Sequence, residues 1–310
     1  MRIGYNTWSL ARVPYQDFLG GLADIGYTAI ALSVVPGYTI GGEWVANATD
    51  LRGLSADDRK RIKRGFQERG LALPSVIGNQ SLLHDDPERN AEALARLRAS
   101  IDLCVELALD GQPTPTLNTG TGGHSGDLEA RQQMLLDRLG EVVEYARSRG
   151  VVVCLEPHVG APVDTIERSE WLVRTVASPY LRLDFDVSHF EVQCVPASEA
   201  VPRLVPLAAA AEFKDQRVYA GASDREGWVD GNGWGESEGR QYQFLLGGEG
   251  TFDVAGYLEL MRAAGWTEPL SFEASVQCQA RPGYDGLREA ARTYAWMRAG
   301  WQAAGIPVEP

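Results

Sequence analysis

The sequence predicts a single closed (β/α)8 barrel, in which eight parallel strands are surrounded by helices. Short apolar runs of six or seven residues alternate with longer segments of helical periodicity eight times along the 310 residues. No Pro- or Ser-rich linker divides the chain, so we expect one domain over residues 1–310. The first predicted strand leads into NTWSLARVP, which lacks the glycine-rich turn of a dinucleotide-binding, doubly wound sheet.

The predicted strands are apolar runs bounded by charged or turn-forming residues. The seventh contains AAAAE, which alone is equally typical of a helix, but its place between two helical segments favours a strand. The eight predicted strands cover residues 2–8, 27–33, 71–77, 113–119, 151–156, 181–186, 207–213 and 269–274.

The clearest predicted helix covers residues 87–109. Its apolar residues recur at spacings of three and four, and Pro87 stands at a first helical position. Asp253 and Asp285 are typical of helix N-caps or first-turn acids. The other predicted helices cover residues 15–25, 55–69, 127–149, 167–177, 197–206, 253–264 and 285–304.

Composition excludes several classes of protein. The net charge is -13, whereas a nucleic-acid-binding protein normally carries a basic surface. No apolar run approaches the roughly 18 residues of a membrane span, and the first residues do not resemble a secretory signal. The four cysteines form no CxxC pair and are expected to be reduced. We therefore expect a cytoplasmic protein with a small-molecule substrate, no nucleic acid and no membrane; homo-oligomerisation stays open.

Carboxylates stand at the ends of the last four predicted strands: Glu156, Asp186, Glu212 and Glu273. Because the carboxyl ends of all barrel strands meet at one face, these side chains are expected to converge. Clustered carboxylates repel one another, and a divalent cation relieves that repulsion. Oxygen ligands favour Mn²⁺ or Mg²⁺, with Co²⁺ and Zn²⁺ as alternatives. The sequence therefore predicts one divalent metal ion bound by these four residues.

Three basic side chains follow these acids closely. His158, His189 and Lys214 each come two or three residues after an acid, and we expect them to bind the substrate. A structural role stays open, since His189 could cap the next helix and His158 could be an ordinary loop histidine. Asp184 shares a strand face with Asp186 and is expected to be a buried partner of Lys214 or of an arginine.

Residues 216–250 form a long glycine-rich segment that contains several aromatic residues. Loops of this length in compact domains are usually functional or disordered, so we expect a loop over the carboxyl face of the barrel; an oligomer contact is the alternative. Arg217 and Trp234 are its candidate substrate-binding residues. Backbone amides of the GGEG stretch (247–250) could meet a phosphate, but the acidic charge favours a neutral polyol over a phosphorylated sugar.

Five stretches, taken in order, resemble the xylose isomerase-like TIM-barrel superfamily of sugar (phosphate) isomerases and epimerases. They are CLEPH, DVSH, EFKD, GGEGTFD and PLSFEA, and the resemblance covers almost the whole chain. It implies metal ligands at Glu156, Asp186 and Glu273, with His189 near the substrate. Many members carry a histidine two residues before the Lys-Asp pair, where this chain has Glu212. An all-carboxylate ligand set would result, or metal binding has been lost.

The resemblance implies an isomerase or epimerase of a sugar or polyol that removes a proton next to a carbonyl. Glu156 and Glu273 are the implied acid/base pair. An inosose-type dehydratase or lyase could use the same residues, and a catalytically silent barrel that only binds a ligand is a further alternative. A metal-dependent DNA-repair endonuclease is disfavoured, because this chain has only four histidines and no basic patch.

Overall fold

The computed structural model describes residues 1–221, 224 and 226–310, and it confirms the predicted (β/α)8 barrel. Eight parallel strands close into a ring in which each pairs with the next barrel strand along the chain, and the last pairs with the first. Each strand precedes helical structure that packs outside the ring. The carboxyl ends of the eight strands, where the candidate site residues lie, are thereby brought to one face.

The barrel strands are β1, β2, β5, β6, β7, β8, β9 and β13, and the other strands belong to two small antiparallel sheets. The described strands are β1 Ile3–Asn6, β2 Ala29–Ser33, β3 Gly37–Ile40, β4 Glu43–Ala46, β5 Ser75–Ile77, β6 Thr116–Thr119, β7 Val153–Leu155, β8 Leu181–Asp186, β9 Ala208–Phe213, β10 Asp215–Val218, β11 Gly235–Ser237, β12 Arg240–Leu245 and β13 Leu270–Phe272.

The helices begin and end where their capping residues predict. Pro87 opens the third helix, and the side chains of Asp253 and Asp285 accept backbone N–H groups at two others. Every helix of the described chain is too short or too polar to cross a membrane. The helices are α1 Tyr15–Ile25, α2 Ala56–Arg69, α3 Pro87–Leu107, α4 Leu128–Arg149, α5 Ile166–Val176, α6 Ser188–Glu191, α7 Ala197–Leu204, α8 Val254–Ala263, α9 Val276–Gln279 and α10 Gly286–Ala303.

The segment predicted as a long loop contains an antiparallel sheet in the order β10-β12-β11. Pairs run from Asp215 opposite Leu245 to Val218 opposite Tyr242. The prediction missed these strands because glycine dominates the composition of residues 216–250, while the strand-forming run RQYQFL is short. A second hairpin, β3–β4, was also missed.

Asp215 fixes this sheet to the barrel. Its carboxylate accepts the backbone N–H groups of Gly248, Gly250 and Phe252, as well as that of Gln216. The side chain is 1% exposed, so its hydrogen bonds are shielded from water. The amides of Gly248 and Gly250 in the GGEG stretch are therefore used internally, and the turn before α8 depends on this one acid.

We expect Asp215→Ala to lower the free energy of unfolding by about 3 kcal/mol, because it leaves several buried N–H groups without an acceptor. Urea denaturation measures the change. The exposed Asp230→Ala is the matched control, with an expected effect of about 0.5 kcal/mol or less. Equal stability of the two variants would contradict the role of Asp215.

Candidate functional site

The registers of β8 and β9 bring their polar residues into one layer. Asp186 lies opposite Glu212, and Asp184 lies opposite Ala210. Because side chains alternate along a strand, Asp184 and Asp186 share one face, as do Glu212 and the following Lys214. All four are at least 97% buried, which places their polar groups inside the carboxyl end of the barrel.

The DVSH sequence orients Asp186. Its Oδ1 accepts both the backbone N–H and the hydroxyl of Ser188, a local turn favoured by an aspartate that starts a helix. This leaves Oδ2 facing the interior, where it accepts a hydrogen bond from the ammonium of Lys214 and lies 3.6 Å from His189 Nε2. The turn thus holds one carboxylate oxygen toward the shared site.

Lys214 lies between three carboxylates. Its Nζ is ion-paired with Asp186, lies 3.3 Å from Glu273 Oε1 and lies 3.9 Å from Glu156 Oε1. The side chain is 3% exposed, and the acids are 0–13% exposed. Three of the four acids that were predicted to converge therefore lie around the Lys214 ammonium, and their predicted binding of a divalent ion stays a prediction.

His189 joins this group from α6. Its Nε2 lies 3.1 Å from Glu156 Oε1 and 3.3 Å from Lys214 Nζ. Its ring centroid lies 3.9 Å from that of His158, and Phe244 of β12 packs edge-on against it. The Nδ1 atom of His189 is buried and has no hydrogen-bond partner among the described residues.

Asn6, at the end of β1, links two of the acids. Its Nδ2 donates to both oxygens of Glu212, at 3.0 and 2.9 Å, and to Glu273 Oε2 at 2.9 Å. Its Oδ1 accepts the backbone N–H of Trp8, which orients the amide. Sequence reasoning missed Asn6, although a polar residue at the end of the first strand was a usable signal.

Lys214 and His189 keep two of the acids ionised. Burial alone would raise the pKa of Glu156, but the contact with His189 and the charge of Lys214 outweigh it and lower that pKa. Burial likewise opposes ionisation of Asp186, whose pKa the same two residues lower. The pKa of Lys214 is raised, because its neighbouring carboxylates, Asp186 first, outweigh the effect of burial.

The remaining acids hold their protons more tightly. Burial raises the pKa of Glu273 to about 7, with Glu156 adding to the shift and Lys214 opposing it. Burial, together with Asp184 and Glu273, raises the pKa of Glu212 well above its ordinary value. Burial and the negatively charged neighbours raise the pKa of Asp184. The site therefore contains both ionised and protonated carboxyl groups near neutral pH.

A cleft of about 560 Å³ opens beside Glu156. Its polar lining includes Asn79, Gln80, His124 and His158, and its volume suits a monosaccharide-sized molecule. Burial and the charge of His189 lower the pKa of His158 to about 4, so its ring is neutral at pH 7. His124 is exposed, and only the fold places it at this cleft.

Donor atoms of Glu156, Asp186 and His189 all lie within 4.8 Å of one another. Two carboxylates and an imidazole form a ligand set that fits a divalent cation such as Mn²⁺ or Mg²⁺. Glu212 and Glu273 lie outside this group and face Asn6 and Lys214 instead. The predicted role of these two acids as metal ligands stays a prediction.

Several predicted residues lie apart from the acids. The Nη2 atom of Arg217 donates to the carbonyl groups of Glu249 and Gly250. The side chain of Trp234 is 52% exposed. Neither has a polar contact with the acids in the part of the chain that the structure describes, and their predicted substrate contacts remain predictions.

Asp184 has a different partner from the one predicted. The Asn118 amide donates to its Oδ2 at 2.7 Å, whereas Lys214 pairs with Asp186. The expectation that Asp184 pairs with a cation was wrong, because the lysine chain ends nearer the mouth of the barrel.

We expect Glu212→Gln to stabilise the metal-free protein increasingly as pH rises. In the wild type, Glu212 ionises in the unfolded chain above about pH 4.5, whereas burial and its negative neighbours raise its pKa in the folded chain, so stability is lost as pH rises above the unfolded value. The variant should gain up to about 1.4 kcal/mol per pH unit over the wild type from about pH 4.5 up to the raised pKa of folded Glu212. Urea denaturation with the exposed Glu259→Gln as control measures this, and a pH-independent difference would contradict it.

Comparison with known proteins gives a family and several similar folds. D-psicose 3-epimerase has a TM-score of 0.70 at 12% identity, over 98% of this chain and 100% of that one. The 3-keto-D-glucoside 4-epimerase YcjR from E. coli has a TM-score of 0.68 at 14% identity, over 96% and 99%. A xylose isomerase-like TIM barrel protein from Mycobacterium smegmatis, in complex with magnesium, has a TM-score of 0.63 at 16% identity, over 98% and 97%.

No curated protein matches the chain in sequence. At these identities the solved structures support the fold alone. The family model described as "Xylose isomerase-like TIM barrel" matches residues 20–299, and the chain therefore belongs to the xylose isomerase-like TIM-barrel family.

Proposed function

We propose that the protein is a divalent-metal-dependent isomerase or epimerase of a sugar or polyol, which removes a proton from a carbon next to a carbonyl. One observation carries the proposal: two buried carboxyl groups of different proton affinity, Glu156 and Glu273, flank the Lys214 ammonium inside the barrel mouth. The similar folds named above include two sugar epimerases, which agrees with this reaction class.

The difference in pKa assigns the two acids. Glu156 has a lowered pKa and is ionised, so it is the base that takes the proton. Glu273, with a pKa raised to about 7, is protonated in a large fraction of molecules at neutral pH and is the acid that returns a proton. The roles exchange in the reverse reaction.

After the proton has been removed, the negative charge on the substrate oxygens needs a positively charged or hydrogen-bond-donating partner. The Lys214 ammonium lies 3.3 Å from Glu273 and 3.9 Å from Glu156, and His189 lies beside it. The flexible chain of Lys214 can direct its ammonium to the carbonyl oxygen, where it would stabilise the negative charge that develops. His158, neutral and at the cleft, is suited to orient a hydroxyl group.

A divalent ion would be held by Glu156, Asp186 and His189. When bound, it would polarise the carbonyl as a Lewis acid. Oxygen-rich coordination favours Mn²⁺ or Mg²⁺ over Co²⁺ or Zn²⁺. The magnesium complex of the M. smegmatis protein, which has a similar fold, is consistent with this choice.

A neutral substrate fits better than a phosphorylated one. The amides of Gly248 and Gly250 donate to Asp215 and are not available to a phosphate. The cleft beside Glu156 is lined by amide side chains, and the chain as a whole carries a net charge of -13; both favour hydroxyl groups over anions. The carbon that receives the returning proton decides the outcome: the same carbon gives epimerisation and the neighbouring carbon gives isomerisation.

We expect Glu273→Gln to reduce kcat by about 10³-fold or more, because the amide cannot donate the required proton. The loss is measured as turnover of a panel of ketoses and keto-polyols. Incorporation of solvent deuterium into the product reports this turnover. The exposed Glu268→Gln is the control and should retain wild-type turnover. Unchanged turnover in the Glu273 variant would refute the assignment.

We expect removal of metal by a chelator to abolish turnover and added Mn²⁺ or Mg²⁺ to restore it, since the ion would polarise the carbonyl. Metal analysis after incubation with saturating Mn²⁺ and removal of free ions should give about one equivalent per chain. Full activity after complete chelation would overturn the metal part of the proposal. A product that has lost water would indicate the alternative dehydratase reaction.

A further inference from the structure

The Lys214 ammonium occupies the region where the candidate ligands converge. It is ion-paired with Asp186 and lies 3.9 Å from Glu156 and 3.3 Å from His189. These are the three residues whose donor atoms could hold a divalent ion. The ammonium thus contacts every member of the candidate ligand set.

The ammonium and a divalent ion would compete for these donors. The Asp186 oxygen that faces the interior, Oδ2, already accepts a hydrogen bond from Lys214. A divalent ion would need that lone pair, and a +2 charge a few ångströms from a buried +1 charge is strongly unfavourable in an interior of low dielectric. Phe244, whose ring centroid lies 5.7 Å from Nζ, further encloses the ammonium.

We propose that Lys214 is the resident cation of this site, and that a divalent ion binds only when the ammonium leaves its place among Asp186, Glu156 and His189. The inference rests on the metal-binding part of the proposed function. It adds that Lys214 and the metal are competing occupants of one region.

Two consequences follow from this competition. Without metal, the ammonium neutralises the buried acids and keeps the site folded. With metal, the flexible four-carbon chain of Lys214 carries its charge away from Asp186. Metal can bind only to molecules in which the ammonium is displaced. Because these are a small fraction of the total, the apparent metal affinity is lower than the intrinsic affinity of the three ligands.

Lys214→Met tests the competition directly, because methionine keeps much of the side-chain volume and removes the charge. We expect the variant to bind Mn²⁺ about tenfold or more tightly than the wild type by calorimetry, since no rival must be displaced. Its melting temperature without metal should fall, and Mn²⁺ should restore it. Lys60→Met, at an exposed lysine, is the charge-matched control and should change neither value.

Labelling of the wild type keeps the inference testable if Lys214→Met does not fold. The chain has three lysines, Lys60, Lys63 and Lys214. Under limited reductive methylation, mass spectrometry should find Lys60 modified and Lys214 protected without metal. Saturating Mg²⁺ should increase modification of Lys214 and leave Lys60 unchanged.

The outcomes separate this inference from the proposed function. Mn²⁺ binding of equal or weaker affinity in Lys214→Met, or protection of Lys214 that Mg²⁺ does not change, would overturn the competition while metal-dependent turnover could stand. Absence of metal binding in both wild type and variant would overturn the competition and the metal requirement together. Neither readout requires a substrate, so a wrong substrate class would leave the result unaffected.

Discussion

The buried ion pair between Lys214 and Asp186 is the interaction on which the rest of the site depends. Several carboxyl groups from neighbouring strand ends would repel one another inside the barrel, and burial makes each charge more costly. One ammonium placed between Asp186, Glu273 and Glu156 offsets that cost. The result is a cluster in which some acids are ionised and others keep their protons.

Asn6 provides the second constraint. Its amide hydrogens serve Glu212 and Glu273, while its oxygen is fixed by the backbone of Trp8. Glu212 is therefore directed toward β1 and away from Glu156, Asp186 and His189. A histidine at this position, as in many members of the family, would offer a nitrogen ligand; the glutamate here has an amide partner instead.

The barrel and its eight strands could be predicted from the sequence because the spacing of apolar residues and the presence of capping residues are signals that lie within each element. The sequence also predicted that Glu156, Asp186, Lys214 and Glu273 lie together, since parallel strands end at one face. It did not predict that Lys214 would lie between the acids, because the length and direction of a side chain become decisive only after the register is known.

The same limit explains the other differences. The sheet formed by β10, β11 and β12 depends on Asp215, whose partners at Gly248, Gly250 and Phe252 are more than 30 residues away in sequence. The partner of Asp184 proved to be Asn118 from another strand. Long-range hydrogen bonds of this kind leave no periodic signal in the chain.

A crystal structure with Mn²⁺ and a bound polyol tests the central claim most directly. The account predicts one anomalous-scattering peak at bonding distance, about 2.0–2.4 Å, from Glu156, Asp186 and His189, with a substrate hydroxyl or carbonyl oxygen completing its coordination. A peak elsewhere on the protein, or a polyol bound away from the cleft beside Glu156, would contradict it.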